Sequence, residues 1–125
     1  MSKKASIRKK KKDLSKELAQ TIAQAAHDTK AENIAVLDLK KVGGFTDYFV
    51  IATGLSDRQV QAVSDRITET VKKQMLPIWP LSVEGYETGH WVLLDYGGVI
   101  AHVFYEEARV FYGLEKLWGD APRLK

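Results

Sequence analysis

Three histidines, three aspartates near strand ends and a pair of adjacent glycines are the groups in this 125-residue chain best placed to do chemistry. Asp38, Asp47 and Asp95 would have to converge to hold a metal pair for phosphoryl transfer. None stands two residues from another, the spacing that sets two carboxylates on one strand face. They read instead as turn and strand-end residues that bond nearby backbone. A phosphate-cradling loop needs Gly-x-x-x-x-Gly-Lys-Ser/Thr. Gly43-Gly44 is followed by Phe45-Thr46-Asp47, with neither the lysine nor a helix to aim its dipole at phosphate. Of His27, His90 and His102, only the last two can meet, across a hairpin, and no second pair of ligands supports them as a metal site. No Gly-x-Ser-x-Gly turn presents a nucleophile. The absence of cysteine removes thiol-ligated metals and disulfides. His102, between Ala101 and Val103, reads as a structural hydrogen-bonding residue. The pattern predicts no catalytic residue, no cofactor and no metal.

The elements that would position these groups are legible from periodicity. Leu14, Leu18, Ile22, Ala25 and Ala26 recur at helical spacing and predict a helix over 13–29. Asn33–Leu39 reads as a strand, followed by a turn at Val42-Gly43-Gly44-Phe45. The nearly continuous β-prone run Tyr48–Thr53 suits a strand buried on both faces in mid-sheet. Val60, Val63, Ile67 and Val71 predict an amphipathic helix over 57–74 with Ser56 as its cap. Pro77 and Pro80 stop it, and Leu81–Val83 is a short extended piece. His90–Asp95 and Val99–Tyr105, joined by Tyr96-Gly97-Gly98, form the clearest hairpin. A helix over about 106–118 ends the domain, with Gly113 inside it. The order implies a single α/β domain, a mixed sheet flanked by helices.

Charge divides the chain. Residues 1–12 hold seven of the nineteen basic side chains and no acid, whereas the rest carries twelve basic and sixteen acidic groups, a net of −4. The sequence therefore predicts a disordered basic tail over 1–12, a domain over 13–121 and a short tail over 122–125. Such a Lys/Arg arm draws nucleic acid or acidic surfaces through counterion release, or simply solubilises the chain. No apolar run approaches the roughly 20 residues of a membrane span, and Ile7 among its lysines begins no signal sequence. The expected location is the cytoplasm.

Val83-Glu84-Gly85, Trp91-Val92-Leu93-Leu94-Asp95-Tyr96-Gly97 and Val99-Ile100-Ala101-His102-Val103-Phe104 follow one another closely. Arg109, Tyr112, Leu114-Glu115-Lys116-Leu117-Trp118 and Asp120-Ala121 complete the series. Together with Thr46-Asp47-Tyr48-Phe49-Val50-Ile51 and Thr53-Gly54 upstream, this resembles the Iojap, or ribosomal silencing factor, family over about residues 14–121. Gly98 departs from the pattern, since relatives often carry Asp there. The resemblance implies a fold like that of nucleotidyltransferases without their catalytic acids. It implies a partner, the fourteenth-numbered protein of the large ribosomal subunit, on the face that the small subunit must contact. It further implies a repressor of translation that blocks subunit joining, and a homodimer when free.

A docking face needs a desolvated aromatic centre with polar groups around it. Trp91, Leu93 and Asp95 share one face of their strand, with Tyr96 near the same register, and Glu84 can pair with a basic partner. On the last helix Arg109, Tyr112 and Lys116 fall at i, i+3 and i+7 as a ridge. These eight residues are the expected partner-binding set. Two other readings stay open on sequence alone. One is a nucleotidyltransferase-related enzyme using Asp38, Asp47 or Asp95; Gly54-Leu55-Ser56 is faintly similar to that fold's loop, but the acidic pair does not follow. The other is an RNA-binding ribosome assembly factor that contacts ribosomal RNA through the basic tail.

Overall fold

A computed structural model describes the backbone of residues 3–42, 45–75, 78–113 and 122–124, and the side-chain surroundings of all of these except 3–13 and 110–112. Helix α1 (Lys3–Asp28) leads into strands β1 (Glu32–Asp38) and β2 (Tyr48–Gly54), then helix α2 (Asp57–Gln74). Strands β3 (Ser82–Glu84), β4 (Trp91–Asp95) and β5 (Val99–Tyr105) follow, then helix α3 (Glu106–Tyr112) and the two-residue strand β6 (Arg123–Leu124). The sheet runs β3-β4-β5-β2-β1-β6. Among these strands only β2 and β5 pair in parallel, the consequence of α2 crossing between them. The α/β class and the mixed sheet agree with the sequence reading.

Every residue of β2 is buried, as its unbroken apolar run requires of a central strand. One sheet face carries Val36, Val50, Val92, Leu94, Ala101 and Val103 under the two long helices. Helix α2 supplies Val60, Val63, Ile67 and Val71 to that layer, all fully buried. Its start is fixed by Ser56, whose Oγ accepts from the Gln59 N–H at 3.0 Å while the Gln59 side chain accepts from the Leu55 N–H at 2.7 Å. Helix α1 supplies Leu18, Ile22, Ala25 and Ala26, the alanines permitting close approach to the sheet. At Gly98, where the chain departs from the family pattern, a Cβ would lie 2.5 Å from the Ser15 hydroxyl, which would have to rotate away.

Three boundaries differ from expectation. Helix α1 begins at Lys3, not near residue 13, because nothing from Lys3 to Lys12 breaks a helix: the residues are Ala, Ser, Ile, Arg and Lys. Helix α3 stops at Tyr112, with Gly113 in the left-handed region (φ 56°, ψ 34°) as its C-cap and its N–H donating to the Arg109 carbonyl. The glycine expected inside the helix thus ends it. The rest of the expected helix, 114–118, lies outside the described residues, as do Gly43 and Gly44 of the expected turn and Pro77 of the expected stop. Strand β6 is too short to show any period in the sequence. Its Leu124 and Arg123 pair with Val36 and Leu37 of β1.

Candidate functional site

The sheet face turned away from α1 and α2 is built as three rows, because residues directly opposite in a sheet point the same way. The first runs Trp91, Phe104, Thr53; the second Glu84, Leu93, His102, Ile51; the third Asp95, Ile100, Phe49, Leu37. Phe104, Phe49, Ile51 and Leu37 are buried in a second, smaller core, and Trp91, Ile100 and Ala108 of α3 pack against it. Of the eight expected residues, the rows bring together Glu84, Trp91, Leu93 and Asp95. Glu84 is exposed, and the other three are half-buried.

Trp91 is held, not loose. Its ring stacks on Phe104 with centroids 4.9 Å apart, and its Nε1–H donates to His102 Nδ1 at 3.0 Å. This fixes the imidazole as the tautomer protonated on Nε2. His102 is 4% exposed, with Phe49 edge-on at 4.6 Å, and Nε2 has no hydrogen-bond partner among the described residues. Burial alone pushes its pKa down to about 4. His102 is therefore a neutral fixture beneath the tryptophan, the structural role expected of it. His90 does not meet it. One residue before Trp91, it turns to the opposite face, 3.6 Å from Asp57.

Tyr96 and Arg109 are placed apart from these rows. Tyr96 follows Asp95 and so alternates to the other face, where it is 9% exposed in the helix-covered core. Its hydroxyl is buried without a partner among the described residues, and burial raises its pKa to about 12. Tyr96→Phe removes an unsatisfied group at almost constant shape. It is expected to leave the urea midpoint unchanged or raise it, by up to about 1 kcal/mol, with no effect on partner binding. A clear loss of stability would place a partner on that hydroxyl.

The Arg109 guanidinium turns inward, donating to the Thr53 hydroxyl at 2.6 Å and to the Asn33 carbonyl. It pins α3 across the ends of β1 and β2 instead of standing on a solvated ridge. Arg109→Ala is expected to cost about 1–2 kcal/mol and to raise amide exchange in α3 first. Uniform protection in the variant would contradict the pin. The side chain of Tyr112 and the whole of Lys116 lie outside the described residues.

Sequence reasoning missed Phe45. Assigned to a turn, it is 57% exposed and meets Phe49 edge-on at 5.8 Å, extending the aromatic surface beyond the third row. Asp95 is partly absorbed locally, its carboxylate accepting from the Gly97 N–H at 2.8 Å. Asp38 likewise accepts from the Lys40 N–H at 3.0 Å. Among the described residues, no three His, Asp or Glu side chains are grouped to hold a metal, and no helix is long and apolar enough to cross a membrane.

The family described as "Ribosomal silencing factor during starvation" matches residues 12–125. The chain is 42% identical over 109 residues to the ribosomal silencing factor of Halalkalibacterium halodurans, an overlap of 87% of this chain and 92% of that one. It is 33% identical over 107 residues to the chloroplastic Iojap protein of Zea mays, 86% of this chain and 46% of that longer one. A crystal structure of a Chromobacterium violaceum protein matches with a TM-score of 0.79 at 34% identity, covering 83% of this chain and 85% of that one. The chain belongs to the ribosomal silencing factor family.

Proposed function

We propose that the chain is a non-catalytic, cytoplasmic repressor of translation. It docks on the large ribosomal subunit, through the fourteenth-numbered protein of that subunit, and occupies the face that the small subunit needs. The observation that carries this reading is the rigid aromatic surface around Trp91. A tryptophan already stacked and hydrogen-bonded loses little side-chain entropy on binding. Phe45 and Leu93 widen the apolar centre. Glu84 and Asp95 supply acidic groups at its margin, suited to a basic ribosomal protein. Asp38 and Asp95 each accept from adjacent backbone, the turn role expected of them.

Sedimentation of the purified protein with isolated large subunits, isolated small subunits, or both tests the docking. Co-migration with large subunits alone is expected. Migration with small subunits, or with neither, overturns the reading and leaves the family likeness as a statement about fold.

A further inference from the structure

The first ten residues of α1 are at odds with the helix they belong to. From Leu18 onward the helix has a buried stripe, with Leu18, Ile22 and Ala25 in the core. Before that, the positions of Lys3, Lys4, Arg8, Lys9, Lys10, Lys11 and Lys12 fall on every side of the axis, and no acid occurs in the first turn. Lys4, Arg8, Lys12 and Lys16 follow one another at i, i+4, where like charges repel. Positive charge at the N-terminal end also opposes the helix dipole. A helix charged all round has no core face to stabilise it and calls for an external partner.

We infer that Lys3–Lys12 is an RNA-binding arm whose cations are neutralised by the backbone phosphates of an RNA duplex. Ten helical residues span about 15 Å, and the seven cations among them can displace counterions from phosphates along that length. An anionic membrane surface fits less well, because an interfacial helix needs an apolar face and this segment offers only Ile7 and Ala5. The rest of the chain, at net −4, repels phosphate and leaves the attraction to the arm. The family match begins at residue 12, so the arm is an addition to the shared domain, distinct from the docking through Trp91.

The test uses the full chain and a variant carrying Lys9→Gln, Lys10→Gln, Lys11→Gln and Lys12→Gln. Binding to a short RNA duplex is followed by fluorescence anisotropy over a KCl series. Each phosphate contact contributes about 0.9 to the slope of log affinity against log salt. The variant, which lacks four of the cations, is expected to show a slope shallower by about 3.6. Equal slopes, or tighter binding to anionic vesicles than to the duplex, would each overturn the arm. Large-subunit binding is measured alongside. Its loss on changing the Trp91 face, with duplex binding intact, separates the two surfaces.

Discussion

Trp91→Ala is expected to weaken binding to isolated large subunits by roughly thirtyfold, on the order of 2 kcal/mol, the loss typical of a central aromatic anchor. Because Trp91 is half-buried against Phe104 and is the hydrogen-bond donor to His102, the same change costs folding stability. Removing the ring opens a gap beside Phe104 and leaves both imidazole nitrogens unpaired, together about 2–3 kcal/mol. The two losses are separable. Trp91→Phe keeps an aromatic ring against Phe104 but removes the indole N–H and part of the ring, so it is expected to lose about 1–2 kcal/mol of stability while retaining most of the binding. Urea midpoints and subunit titrations on both variants decide the matter. A folded Trp91→Ala protein that binds large subunits normally would refute the anchor.

The second large effect is a dependence of stability on pH, through His102. Its native pKa, about 4, lies below the ordinary value of 6.5 because burial disfavours the charged ring. As pH falls through 6.5 the unfolded chain takes up a proton that the native chain refuses until about pH 4. Stability from this group is therefore full above pH 6.5, is lost progressively down to about pH 4, and is constant below. A shift of this size amounts to on the order of 3 kcal/mol. Urea midpoints of the parent chain should fall steeply between about pH 6.5 and 4.5. Those of His102→Phe should fall less, by roughly that difference. Parallel curves would show that the ring is protonated in the folded state or is more exposed than its surroundings indicate.

Much of this architecture is legible from side-chain order. The apolar run Tyr48–Thr53 has only one place to go, the middle of a covered sheet, and it is there. The valine and isoleucine spacing in α2 and the glycine pair after Tyr96 likewise have single readings. What periodicity cannot supply is closure in three dimensions. The row that joins Glu84 to Leu93 and His102 depends on how β3 registers with β4, and a three-residue strand carries no such signal. Arg109 illustrates the limit more sharply. Its spacing puts it on the polar side of a helix, but its guanidinium reaches Thr53, 56 residues away in sequence. Strand alternation carries Tyr96 to the face opposite Asp95, and Phe45 was hidden by the glycines that precede it.

The positive backbone angle at Gly85 (φ 79°) shows the same dependence on the folded state. A Cβ there would run into the Trp91 carbonyl oxygen. The residue between the Glu84 and Trp91 strands must therefore be glycine for the acidic and aromatic parts of the face to lie side by side.

Docking and subunit joining exclude one another if the Trp91 face occupies the surface that the small subunit needs, and the order of addition tests this most directly. Large subunits are incubated with the protein first, small subunits are added, and joined ribosomes are separated by sedimentation and probed for bound protein. Few joined ribosomes are expected, with the protein on free large subunits, and joining should recover when the Trp91→Ala variant replaces the parent. Joined ribosomes that carry the protein in stoichiometric amount would contradict the exclusion.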